Sequence, residues 1–167
     1  MAEKIFLVSG ATDGIGRVTA LELARRGGHV ILVGRNPAKG ERVLGEIKRQ
    51  CGDARIEFEM ADLSSQSDIR ALTRRLNDRL ERLDVLVNNV GAWFQRRTLS
   101  ADGIEMTFAL NHLGYFLLTG LLLDKLRHAP SARIVNVSSM AHSGPQVNFD
   151  DPQGAARYSG WRAYQAS

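Results

Sequence analysis

Lys4-Ile5-Phe6-Leu7-Val8-Ser9-Gly10-Ala11-Thr12-Asp13-Gly14-Ile15-Gly16-Arg17 is the stretch that decides the fold. A short apolar run passes straight into three glycines, and an amphipathic pattern follows over residues 15–26. Glycines at a strand-to-helix turn let the backbone come close to an anion. The helix N-terminus beyond offers unpaired N–H groups and the positive end of its dipole. The spacing is G-x-x-x-G-x-G, not the G-x-G-x-x-G of the general dinucleotide fingerprint, and a purely structural turn could also account for it. The position at the head of a βαβ unit is what points to a pyrophosphate. No Gly-Lys-Ser/Thr follows, so a Walker loop is excluded.

Working outward, residues 4–9, 29–33, 55–60, 83–87 and 133–137 predict five strands. Most are apolar almost throughout, as strands buried on both faces of a parallel sheet should be. Residues 55–60 (RIEFEM) alternate and predict a place nearer an edge. Residues 15–26, 37–50 and 66–82 predict helices, with Pro37 suited to a first turn. Residues 101–128 predict a longer one, with Gly114 as a bend or a close-packing point. Repeated βα units imply a parallel sheet with helices on both faces and right-handed crossovers. Residues 143–160 read as a loop, and residues 161–167 turn helix-friendly again.

The 167 residues, 44% hydrophobic and 24% charged, suit one domain with a substantial core. A single cysteine, Cys51, excludes a disulfide framework and a zinc ribbon and fits a reducing compartment. None of the histidines has a ligand partner at metal spacing, so no metal is expected. The apolar stretch Gly114–Leu123 falls short of a membrane span, and the N-terminus leaves no room for a signal peptide. The expectation is a soluble, cytoplasmic protein. The net charge of +4 is spread among interleaved acids, so nucleic acid is not an expected partner.

The second strand bears on the cofactor. An NAD site usually carries an acid about 20 residues beyond the glycines, to accept from the ribose 2′-OH. Gly34-Arg35-Asn36 stands there instead. Arg35 and Arg17 can be read as a pair for a 2′-phosphate, or simply as surface arginines. With the acid missing, NADP(H) is favoured over NAD(H).

These residues resemble the short-chain dehydrogenase/reductase family. SGATDGIG is similar to its T-G-x-x-x-G-I-G turn, with Ser9 for Thr, and Asn88-Asn89-Val90-Gly91 to its N-N-A-G, with Val90 for Ala. Asp62-Leu63 stands where members contact adenine. Asn111 matches the family's asparagine, Ser139 its catalytic serine, and Tyr164 opens Y-Q-A-S, the start of Y-x-x-x-K. The long interval from Ser139 to Tyr164 resembles the retinol dehydrogenase-type branch. The resemblance implies a Rossmann-type doubly wound sheet of strand order 3-2-1-4-5. It also implies a cofactor site of Gly10, Thr12, Asp13, Gly14, Ile15, Gly16, Arg17, Arg35, Asn36, Asp62, Leu63, Asn89, Val90, Gly91 and Tyr164.

The chemistry implied is carbonyl/alcohol interconversion on a small or lipophilic molecule, with Asn111, Ser139 and Tyr164 as catalytic residues. Tyr164 would be the acid or base, Ser139 would polarise the substrate oxygen, and Asn111 would hold a water. The family's lysine would be residue 168, one beyond Ser167. The expectation is therefore a single domain, 1–167, cut before its last helices and strands, with an unpaired fifth strand and weak activity as written. The alternative is a non-catalytic dinucleotide-binding sensor or an inactive fragment.

Other residues have bland readings beside functional ones. Tyr158 and Arg162 offer a second Y-x-x-x-cation pattern, at the wrong distance from Ser139. His112 reads as packing before it reads as a base. Asp150-Asp151 read as turn residues, and Trp93 and Phe94 either line the substrate cleft or simply pack. The run Tyr115–Leu123 is core, and in the family this helix also makes homo-oligomer contacts.

Overall fold

The computed structural model describes residues 3–144 and 147–167, so Pro145 and Gln146 of the expected loop lie outside the described residues. β1 (Ile5–Ser9), β2 (His29–Gly34), β3 (Ile56–Met60), β4 (Val85–Asn88) and β5 (Arg133–Asn136) form one parallel sheet in the order β3-β2-β1-β4-β5. This is the expected doubly wound Rossmann-type architecture, and RIEFEM is an edge strand. Side chains alternate across it. Val8, Val30, Leu32 and Val87 pack with α1 (Gly14–Arg25) and α2 (Pro37–Cys51) on one face. Leu7, Ile31, Val33 and Leu86 pack on the other with α3 (Gln66–Arg79) and α5 (Gly114–Arg127). β5 is exposed along its length and, among the described residues, pairs with β4 alone.

The helix starts follow their caps. Asp13, Asn36 and Ser65 each accept a backbone N–H of the first turn, and Pro37 opens α2. Two boundaries differ from the periodic reading. α3 ends at Arg79 and not Arg82, because Leu80 turns extended and enters the core at 6% exposure. The long helix starts at Met106 and not Ala101. Residues before it close a turn through a Leu99–Glu105 bridge, and Gly103 sits at φ +74°, which no helix accommodates.

From there α4 (Met106–Phe108), a π turn (Ala109–Leu113) and α5 run on without a break. Gly114 is a close-packing point: a Cβ there would lie 2.5 Å from the Leu63 carbonyl oxygen. The continuous helix Met106–Arg127 has 22 residues and is long and apolar enough to cross a bilayer by length and composition. This corrects the expectation drawn from Gly114–Leu123 alone. Leu110, Leu118, Leu122 and Leu126 are nonetheless buried in the core cluster, so in this fold it is a core helix.

At the β3 edge, His29 is 3% exposed and its Nε2 lies 2.6 Å from Glu57 Oε1. Arg79 spans Glu57 and Glu59, and Arg75 also reaches Glu59. The His29 hydrogen bond, with help from Arg79 and against the cost of burial, holds the Glu57 carboxyl down at about 2. Its stabilising contribution is full above the ordinary 4.5 and is lost as pH falls towards about 2. We expect Glu57→Gln to lower the melting temperature at neutral pH and to flatten its decline in that acid window. Melting curves that fall in parallel for both proteins would show that Glu57 carries no acid sensitivity.

Candidate active site

A groove runs along the C-terminal ends of the strands, the usual position for ligands in such sheets. It consists of two cavities, of about 650 and 460 Å³, that share Ile15, Asn89, Val90, Gly91 and Ala92. The larger is lined by Gly10, Thr12, Asp13, Gly14, Gly34, Arg35, Lys39, Asp62 and Leu63. The smaller is lined by Asn111, Tyr115, Ser138, Ser139, Tyr164 and Trp93, among others. Sequence-distant candidates therefore meet in one channel.

The glycines divide the work. Gly10 has φ +65°, and a Cβ on it would come 2.8 Å from Val90 Cα. One on Gly16 would come 2.4 Å from both Asn89 Nδ2 and the Gly10 oxygen. Both are fixed by the close approach of the turn to β4. Gly14, at φ +49°, has open space before it and faces the groove. The turn is tied down by Ser9 Oγ, which accepts from the Asn89 and Val90 N–H groups at 2.8 and 3.1 Å. Asn89 Nδ2 donates back to the Ser9 carbonyl at 3.0 Å.

Not every expected residue reaches the groove. Arg17 turns away: its guanidinium pairs with Glu46 on α2 at 2.5 Å, and it lines neither half of the groove. Asn36 spends its side chain capping α2. Gly16 lies buried behind the turn. Arg35 does stand at the groove, 66% exposed, with Asp62 3.9 Å away. The cation missed in the sequence is Lys39, in the first turn of α2, which lines the same cavity and pairs with Asp13 at 3.0 Å. That hydrogen bond, then the Gly14 N–H, keeps the Asp13 carboxyl below its ordinary value. The signal was available in the P-A-K spacing after the second strand.

In the smaller cavity, Ser139 Oγ accepts from Ala141 N–H, which leaves the hydroxyl proton to donate elsewhere. Asn111, in the π turn, accepts from Ala92 N–H at 3.0 Å and donates to the Ala92 carbonyl and to Ser167 Oγ. Both of its amide donors and one acceptor site of its oxygen hold Ala92 and Ser167, just past the end of α6 (Gly160–Ala166). Tyr164 projects from α6 into the cavity. α6 docks closely because residue 160 is glycine: a Cβ there would lie 2.3 Å from the Phe94 oxygen.

Tyr115, read as core, lines the cavity and donates to the Val90 carbonyl at 2.7 Å. Burial, then the nearby Tyr164, pushes its phenol up to about 12. Its spacing of one helical turn from Asn111 was the overlooked signal. His142 also lines the cavity.

Tyr158 is a structural residue. Its hydroxyl sits 3.0 Å from the Phe94 carbonyl and 2.9 Å from Glu105 Oε1, outside the cavity, and burial first raises its pKa. Glu105 is 1% exposed and also accepts from the Thr107 and Phe108 N–H groups. His112 stacks on Phe108, and Asp151 accepts from two loop N–H groups, so both take their bland readings. Trp93 lines the cavity, while Phe94 packs on the core.

The glycine turn, the Asn88–Gly91 segment and the cleft holding Ser139 and Tyr164 thus meet in one groove of a Rossmann-type parallel sheet. The short chain dehydrogenase family model matches residues 4–151, and the chain belongs to that family. Human polyprenol dehydrogenase is 41% identical over 169 residues, covering 99% of this chain and 51% of its own. Human retinol dehydrogenase 13 is 43% identical over 148 residues, covering 89% of this chain and 45% of its own. The chain thus spans about half the length of the curated relatives it matches. Among solved structures, an uncharacterised protein from Mycobacterium paratuberculosis superposes with a TM-score of 0.83 at 39% identity, over 98% of this chain and 57% of its own. A short chain dehydrogenase from Escherichia coli CFT073 complexed with NADPH gives 0.79 at 28% identity, over 99% and 66%.

Tyr158→Phe tests the structural assignment. It should cost about 1–2 kcal/mol of stability, by leaving a buried carboxylate oxygen short of a donor. Dinucleotide affinity should not change. Unaltered stability together with loss of turnover would return Tyr158 to the catalytic candidates.

Proposed function

We propose that this chain carries the cofactor site and catalytic residues of an NADP(H)-dependent oxidoreductase that interconverts a carbonyl and an alcohol on a small or lipophilic substrate. The observation that carries the reading is the continuity of the groove. The glycine turn and Ser139 with Tyr164 open into one channel through Ile15 and the 89–92 segment.

The residues present fit a dinucleotide. Gly14 leaves open the space a Cβ would fill, and Gly14 and Ile15, the first residues of α1, line the groove's larger half, so the positive end of the α1 dipole lies beside it. Arg35 and Lys39 line that half and would supply the cations for a 2′-phosphate, with no acid among residues 34–36. Ile15, 70% exposed between the two halves, offers an apolar surface to a planar ring. A bound nicotinamide would supply the hydride.

Ser139 would then donate its free hydroxyl proton to the substrate oxygen. Tyr164 would pass a proton to that oxygen in reduction and take it back in oxidation. A phenol titrates near about 10 in water, so this role needs a neighbouring cation. The family resemblance puts that cation at position 168, one turn beyond Tyr164 and so on the same helix face. Tyr115 is unsuited to the role, because its proton is already committed to Val90.

NADPH should bind at least about tenfold more tightly than NADH, roughly 1.4 kcal/mol. Arg35→Ala and Lys39→Ala should each erode that margin, and Arg17→Ala should leave it intact. Calorimetric titrations giving equal affinities for both cofactors would remove the 2′-phosphate role. In any turnover assay, Tyr164→Phe should reduce rate by about 100-fold or more with NADPH affinity preserved. Undiminished turnover would defeat the catalytic assignment.

A further inference from the structure

The smaller cavity has a mixed lining. Ser139, Asn111 and Tyr164 supply polar groups, and Trp93, Ile15 and Val137 supply apolar surface. Trp93 sits in an irregular segment, where a large side chain has many rotamers open to it. Here it is held: the Trp161 ring meets it edge-on, with centroids 5.8 Å apart and planes at 72°. Trp161 in turn tilts against Tyr164 at 5.9 Å. Trp161 and Tyr164 are three residues apart on α6, hence on one face. The near contact of Gly160 with Phe94 and Gln95 brings that face onto the 93–95 segment. Both indoles remain about half exposed, at 51% and 49%, so they keep surface free for a ligand beside Tyr164.

We propose that Trp93, buttressed by Trp161, is the specificity wall of the substrate cleft, and that it selects carbonyl or alcohol compounds bearing a flat aromatic ring over open aliphatic chains. Aromatic rings stack or meet edge to face with a gain beyond the area they bury, and a fixed indole offers that gain without an ordering cost. A flexible alkyl chain gains only burial and must be ordered as well. Trp161 is a positioning residue: it acts by fixing Trp93.

The inference rests on the oxidoreductase reading for the location of the reacting carbon, but its test does not need turnover. Naphthalenemethanol and decanol are titrated calorimetrically into the full chain, with and without NADPH. The ring compound should bind at least about fivefold more tightly. Trp93→Ala should bring the two to within about twofold, Trp93→Phe should keep most of the preference, and Trp161→Ala should weaken it partway. Equal affinities, a preference that survives Trp93→Ala, or no saturable binding of either compound would overturn the proposal. The ring preference in the titration without NADPH supports the wall even if NADPH fails to bind or Tyr164→Phe leaves turnover unchanged. Those two results would count against the oxidoreductase reading alone.

Discussion

Everything in the groove depends on how the turn after β1 is fastened to the end of β4. Ser9 is fully buried, and its hydroxyl oxygen takes two N–H groups from Asn89 and Val90, just where β4 stops pairing. Asn89 returns a donor to the Ser9 carbonyl. Buried backbone groups at strand ends must find partners, and here two adjacent strands satisfy each other through side chains. An apolar residue at Ser9 would orphan both N–H groups. A smaller residue at Asn89 would orphan the carbonyl and loosen the turn. The contact also explains the glycine spacing. Gly10 and Gly16 are required by the closeness of the turn to β4, and only Gly14 is free for a ligand. The G-x-x-x-G-x-G pattern is thus largely a packing pattern that leaves one open position.

The same turn carries an electrostatic tension. Asp13 and Asp62 line the larger cavity together with Lys39 and Arg35, so without a ligand the cations face carboxylates. An anion entering there must compete with them. These pairs are exposed, and exposed pairs are worth little because water and salt screen them. Exchanging a carboxylate for a phosphate therefore costs little, while the pairs keep Lys39 and Arg35 near the groove beforehand. Arg17 is different. It is tied to a half-buried Glu46 on α2, where it braces two helices and has no reason to turn towards the groove.

Much of this was legible in the chain, because strand periodicity and the glycine turn are local signals. The five strands, their order and the groove's Gly10, Gly14, Ser139 and Tyr164 follow from short runs of sequence read with the family resemblance. What escaped depends on geometry between segments. Lys39 and Arg17 are both basic residues near a helix start. Only the packing of α1 on α2 decides that the first faces the groove and the second faces Glu46. Tyr115 reads as core because its neighbours are leucines, yet the π turn carries it to the cavity wall. The false helix start at Ala101 has the same origin. Its residues favour helix locally, and a Leu99–Glu105 bridge overrides them.

That last misreading points to the anchor of the catalytic half. Glu105 is a buried acid at the start of the Asn111 helix, where its oxygens accept the first helix N–H groups, of Thr107 and Phe108. It also receives the Tyr158 hydroxyl, and its own N–H goes to Gln153. One acid thus binds the 153–158 segment to the helix that carries Asn111, and α6 with Tyr164 follows directly. A buried polar group is tolerated only when its hydrogen bonds are satisfied, so the donors to Glu105 act as one network. Asn111 and Tyr164 lie far apart in sequence, yet Glu105, the Asn111–Ser167 hydrogen bond and the close seat of Gly160 on residues 94–95 together fix their separation in the cleft. The irregular insert before Tyr164, which looks like a spacer in the sequence, is the element that positions it.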